Sequence, residues 1–168
     1  MPPPLRRAGA LGVTCRPATD DDLPHLAQTY FSTRLEEVAQ TRWPAADQVR
    51  FLNHQFDAQH RHYRAHYPNA EWLVVERAGT AIGRLYIEEW EREIRLIDIA
   101  LLPNARGGGI GQALIEDLLE DAAAKGKALS IHVERMNPAM RLYLRLGFVK
   151  VDEHGVYELM EWRPPPAG

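Results

Sequence analysis

Cysteine is nearly absent. Cys15 is the only one in 168 residues, which excludes an intramolecular disulfide and a zinc site built on thiolates. Lysine is scarce too, with three residues against 17 arginines, and the 20 basic side chains face 23 acidic ones for a net charge of -3. Without a surplus of positive charge, a nucleic-acid partner held by bulk electrostatics is not expected. No apolar run approaches the ~20 residues needed to cross a bilayer. The start, Met1-Pro2-Pro3-Pro4-Leu5-Arg6-Arg7, has charges but no apolar stretch of signal-peptide length before Cys15. The expectation is a cytoplasmic protein with no membrane partner.

What is present fits one globular domain: 45% hydrophobic and 26% charged residues, in a chain long enough for one full core. We place the domain at 11–163 and read 1–10 and 164–168 as flexible tails, since both are rich in proline or small residues. Leu11 to Cys15 reads as a strand. Thr19 and Asp22 have the spacing of a capping box, followed by a helix with Leu23, Leu26, Ala27, Tyr30, Phe31, Leu35 and Val38 on one face. A second helix runs from about Pro44 to Tyr67, striped by Val49, Leu52, Phe56 and Tyr63. Glu71–Arg77, Thr80–Trp90 and Ile94–Leu102 read as strands, the first two joined at Ala78-Gly79. A helix to about Lys125, a strand at Leu129–Glu134, a short helix at Asn137–Leu146 and two strands near 148–151 and 156–162 complete the chain. The order βααβββαβαββ predicts an α/β fold, a mixed central sheet of about seven strands with helices on both faces.

Between the strand Ile94–Leu102 and the next helix lies Arg106-Gly107-Gly108-Gly109-Ile110-Gly111. Successive small residues expose backbone N–H groups, and a helix N-terminus adds partial positive charge, so the segment suits a phosphate or pyrophosphate. A dinucleotide fingerprint would need a small residue at Gln112, and a P-loop would need Lys-Ser/Thr after Gly111; neither is met. The pattern Arg-x-x-Gly-x-Gly is met by Arg106, Gly109 and Gly111. A second block, Asn137-Pro138-Ala139-Met140-Arg141-Leu142-Tyr143 with Leu146-Gly147-Phe148, stands downstream.

On these two blocks and the element order the chain resembles the GCN5-related N-acetyltransferase (GNAT) family from about Val13 to Trp162. The resemblance implies acetyl-coenzyme A as co-substrate and no metal. The acceptor it implies is a primary amine of a small molecule or peptide, acetylated by direct attack, in a monomer or homodimer. It also implies site positions. Ile99, Ala100 and Leu101 would pair with the pantetheine arm, and Arg106, Gly107, Gly108, Gly109, Ile110 and Gly111 would hold the pyrophosphate. Asn137 would contact the arm, and Tyr143 would reach the sulfur and protonate the departing thiolate. For the base, His132 and Asp98 both remain open. His132 stands where some members carry a carboxylate, whereas Asp98 alternates with Leu96, Ala100 and Leu102 on one strand face. A pairing of the two as orienter and base is also open. Trp43, Gln55, Gln59 and Tyr63, on or before the second helix, are candidates for reading the acceptor. An alternative is a non-catalytic acyl-coenzyme A sensor or interaction module. His54, His60, His62 and His66 read as surface histidines, and Cys15 as a buried structural thiol.

Overall fold

The computed structural model describes residues 2–166; of the C-terminal tail expected at 164–168, residues 167 and 168 lie outside the described residues, as does Met1. The elements are α1 (Arg6–Ala10), β1 (Val13–Pro17), α2 (Leu23–Ser32), α3 (Leu35–Ala39), α4 (Ala45–His66), β2 (Glu71–Arg77), β3 (Thr80–Glu89), β4 (Glu93–Leu101), α5 (Ile110–Lys125), β5 (Ala128–Glu134), α6 (Met140–Arg145), β6 (Val149–His154) and β7 (Tyr157–Trp162). Seven strands form one sheet in the order β1-β2-β3-β4-β5-β7-β6. Every pairing is antiparallel except β4 with β5.

Helices cover both faces. On one, α1, α5 and α6 bury Ala8, Ile110, Leu114, Leu118 and Tyr143 against Leu73, Leu85, Leu96, Leu129 and Met160. On the other, Leu26 and Tyr30 of α2 and Phe56 of α4 pack on Val74 and Tyr86. Burial of such side chains, each worth roughly 1.5–3 kcal/mol when complete, is what holds the helices to the sheet. Among the described residues no helix is long and apolar enough to cross a membrane.

Three expectations are corrected. Residues 6–10 are not a loose tail: Arg7 and Ala8 donate their backbone N–H groups to the buried Asp117 carboxylate, both at 2.9 Å. That contact docks α1 on α5, adds a helix to the expected order and extends the folded unit beyond 11–163. The first long helix divides into α2 and α3 at Ser32-Thr33, whose hydroxyls donate to the carbonyls of Thr29 (2.7 Å) and Tyr30 (2.6 Å). Such local side-chain bonds compete with helix continuation, and Leu35 beyond the break is exposed. Val49 is also exposed, so the buried stripe of α4 begins at Leu52.

Two features of β3 and β4 shape the middle of the sheet. Tyr86 pairs with Asp98 and Ile87 with Leu96, so Ile97 is an extra residue, a bulge in β4. Pairing of β4 with β5 runs only from Glu93↔Ala128 to Leu96↔Ile131. From the bulge onward the two strands diverge. Farther along the β3–β4 pair, Gly83 of β3 lies so close to β4 that a Cβ would collide with the Ala100 carbonyl oxygen and stand 2.8 Å from Leu101 Cδ2. Gly83→Ala should therefore destabilise the fold by about 1–3 kcal/mol through overpacking, read as a lower midpoint in denaturant unfolding; an unchanged midpoint would show that the strands do not approach this closely.

Candidate active site

The divergence of β4 from β5 opens a cavity of about 680 Å³. One wall is Ile97–Leu101, whose edge toward β5 has no strand partner. An unpaired edge retains backbone donors and acceptors for an extended amide-bearing ligand. At the end of this wall the chain turns through the glycine loop into α5. Gly107 (φ 80°) and Gly109 (φ 84°) occupy the left-handed region, which only glycine enters without strain. Above Gly107, Gly108 and Gly109 nothing lies within 4 Å of an added Cβ. Among the described residues no side chain caps α5, a 16-residue helix, and no acidic residue stands in its first turn. The loop thus presents open space and unclaimed N–H groups to an anion. Arg106 folds back, its Nε donating to the Leu101 carbonyl at 2.9 Å and its Nη2 to Ser32 Oγ at 3.2 Å.

The opposite wall comes from β5, α6 and the turn between them. Tyr143 is buried, packs edge-on against Phe148 at 5.4 Å, and lines the cavity. Its hydroxyl bonds to none of the described residues. Burial, with the Asp98 charge adding to it, raises the phenol above its ordinary value, so it carries its proton at neutral pH. Asn137 lines the cavity and uses Oδ1 to accept the Ala139 N–H at 2.8 Å, closing the turn into α6.

The third wall holds the charged groups. Asp98 forms an ion pair with Arg84 of β3, a guanidinium only 2% exposed. Arg84 Nη2 also donates to Gln59 Oε1 at 3.0 Å, and its guanidinium lies over the rings of Tyr86 (5.1 Å) and Tyr30 (5.7 Å). Four partners of three kinds, a carboxylate, an amide and two aromatic faces, thus hold one buried cation. Tyr63 lines the cavity beside Gln59. Burial raises its phenol as well, and the Tyr86 hydroxyl behind is pushed up to about 12 by the same cause. His132 and Glu134 of β5 also face the cavity.

Most of the expected site residues therefore converge, and the departures are specific. Asp98 does not share the face of Leu96: the bulge at Ile97 breaks the alternation, so Leu96 packs with α5 while Asp98 meets Arg84 on the α4 side. Asp98 and His132 do not pair. His132 instead contacts Arg95, its Nδ1 lying 3.3 Å from Nη1. Gln55 accepts the Tyr30 hydroxyl at 3.2 Å and is not part of the lining, and Trp43 packs on Phe51 at 5.2 Å, outside it. Arg84, Arg95, Glu134 and Tyr30 are not among the site residues expected from sequence. A charged residue inside the apolar run Ile82–Ile87, or between Ile94 and Leu96, is the signal that would have found the two arginines. On α4, His62 and His66 stack at 5.1 Å; among the described residues no group of three metal-ligating side chains assembles. The Cys15 thiol is half-buried, and burial chiefly pushes it up to about 12, so it keeps its proton at neutral pH.

Comparison with known proteins supplies the relationship. Among curated protein sequences nothing matches this chain. The chain resembles the solved structure of the PaiA N-acetyltransferase from Thermoplasma acidophilum in complex with coenzyme A, at 17% identity and TM-score 0.66 over 90% of this chain and 98% of that one. It also resembles an acetyltransferase from Thermus thermophilus (19%, TM-score 0.63, 90% and 97%) and a GNAT family acetyltransferase from Elizabethkingia anophelis with acetyl-CoA bound (18%, TM-score 0.57, 90% and 98%). At these identities the likeness concerns the fold. The family model for GNAT acetyltransferases matches residues 33–148, a span that holds the bulged strand, the glycine loop and the Tyr143 helix, and on that match the chain belongs to the acetyltransferase (GNAT) family.

Proposed function

We propose that this protein transfers the acetyl group of acetyl-coenzyme A to a primary amine of a small molecule or peptide. The observation that carries the reading is the cavity itself, which joins an unpaired strand edge and an uncapped helix N-terminus to a buried, protonated phenol and a clamped carboxylate. The thioester supplies the activated acetyl group. The residues present fit its carrier: Ile99, Ala100 and Leu101 offer backbone groups to an extended arm, residues 106–111 receive the pyrophosphate, and Asn137 and Tyr143 face the arm from the other wall.

Within that cavity the protons can be followed. An aligned backbone N–H of β4 stabilises charge developing on the thioester oxygen. The acceptor amine loses one proton as its nitrogen bonds to the acetyl carbon, and Asp98, held in place by Arg84, is the carboxylate positioned to take it. The C–S bond breaks with its electron pair on sulfur, and Tyr143 protonates that sulfur. Gln59 and Tyr63, with Tyr30, form the acceptor side and set which amine enters.

Two measurements test this. Coenzyme A should raise the melting temperature of the wild-type protein, because a ligand that binds only the folded state stabilises it by mass action. Gly109→Asp should abolish that rise, since it places a Cβ in a left-handed position and a negative charge beside the pyrophosphate. A folded Gly109→Asp variant protected as well as wild type would show that the loop does not hold the cofactor. For the chemistry, thiol release is followed across a panel of amines. Tyr143→Phe keeps the ring packing and should lower turnover by roughly 10²–10⁴-fold with coenzyme A affinity unchanged. Equal turnover in that variant removes the phenol from the reaction, while binding of coenzyme A without turnover on any amine would favour an acyl-coenzyme A sensor.

A further inference from the structure

Arg95, in the paired half of β4, is buried and fully engaged. Its Nε donates to Ser130 Oγ at 2.9 Å, its Nη1 donates to the Tyr67 hydroxyl at 3.3 Å, and its Nη2 stands 3.9 Å from Glu93 Oε2. The guanidinium lies 4.9 Å from the centre of the Trp90 ring, and the Ser130 hydroxyl in turn donates to Glu93. These contacts fix the cation from four sides before His132 is considered. The remaining contact, Nη1 to His132 Nδ1 at 3.3 Å, has only one chemical sense. A guanidinium has no acceptor and stays protonated, so Nδ1 must accept through its lone pair. A neutral imidazole whose Nδ1 accepts carries its proton on Nε2.

We propose that Arg95 is a positioning residue that holds His132 neutral, as the Nε2–H tautomer, so that this imidazole serves the cavity as a hydrogen-bond donor and not as the base. A base needs a free lone pair. In His132 one nitrogen has its lone pair turned to a cation and the other carries a proton. Protonation would set a new N–H against the Arg95 N–H. The surroundings agree: His132 is exposed as a whole, yet partial desolvation of the ring first and the Arg95 charge second lower the imidazole below its ordinary value, with His154 of β6 and His66 of α4 acting in the same direction and Asp152 of β6 opposing. The acceptor recognised by such a donor presents an oxygen near its amine. That last consequence rests on the acetyl-transfer reading; the tautomer does not.

The test separates the two. In ¹⁵N-labelled protein without ligands, long-range ¹⁵N–¹H spectra resolve the imidazole nitrogens, with His132 assigned by the signals missing in His132→Gln. The expected result is a pyridine-type Nδ1 and a pyrrole-type Nε2 for His132, with a protonation midpoint below the ordinary value of an imidazole. Arg95→Lys, which keeps a charge but cannot hold all partners at once, should move that midpoint upward by about one unit. A pyrrole-type Nδ1, or an imidazolium at neutral pH in the wild type, overturns the proposal whatever Arg95→Lys does to folding. In the thiol-release assay, His132→Gln offers an amide N–H in place of the ring N–H. It should keep turnover within about tenfold of wild type with the acidic limb of the pH profile unmoved, whereas His132→Ala should raise the KM of the amine. Loss of turnover in both variants together with a flattened acidic limb would make His132 the base. A protein with the expected tautomer but no thiol release on any amine would leave the positioning role standing and sink the transfer reading.

Discussion

One extra residue in one strand governs the site. Antiparallel pairing with β3 continues past Ile97, but the bulge there tilts the rest of β4 away from β5, and the parallel ladder stops at Leu96↔Ile131. A continued ladder would have satisfied the backbone of Ile97–Leu101 and left no cavity. Buried backbone groups without partners are costly, so the separation is tolerable only because solvent or ligand reaches that edge. The neighbouring elements keep the wedge open from both sides: Gly83 lets β3 lie close behind Ala100, and Tyr143 and Phe148 fill the far side from α6 and the turn after it. The same bulge reverses the side-chain alternation and turns Asp98 toward Arg84.

The glycine loop and the turn into α6, which the proposal gives to the acetyl donor, are legible in the sequence because their structure is local. The residues of the glycine loop are consecutive, and their positive φ values, the absence of a cap and the helix beyond them are all written in a single stretch. The Asn137–Phe148 block is equally local, its asparagine closing the turn that starts the helix and its tyrosine one helical face away. The order and approximate limits of the strands are legible for the same reason, since period-two alternation and the Ala78-Gly79 turn act over a few residues.

The wall that the proposal gives to the acceptor is less so, because it depends on partners far apart in the chain. Alternation alone puts Asp98 on the wrong face, since nothing in Leu96-Ile97-Asp98 announces a bulge; that comes from how β3 and β5 compete for β4. Gln59 stands out as a polar residue on an apolar stripe, but its partner, Arg84, lies 25 residues away. Trp43 reads as available and instead packs on Phe51 of the helix it precedes. The docking of the first residues is likewise invisible in the sequence, for it depends on Asp117, one acid among several on α5, pointing inward at two backbone N–H groups.

Two buried arginines on adjacent strands then divide the work of the charged wall. Arg84 meets a carboxylate, so its charge is compensated by Asp98 and a carboxylate is left anchored at the cavity. Arg95 meets a carboxylate at longer range, two hydroxyls, an aromatic face and an imidazole that lines the same cavity. In a low-dielectric setting neither cation could be buried without such partners, and arginine suits both places because its planar fork serves several partners at fixed angles. The pairing would suit the proposed amine acceptor, which must arrive, be held and lose a proton. On the proposed reading the carboxylate side would attract the nitrogen, while the imidazole, kept from taking a second proton on Nδ1 by the cation behind it, would donate from Nε2. On that reading, which strand carries each arginine would decide where the acceptor's nitrogen lies relative to the rest of it.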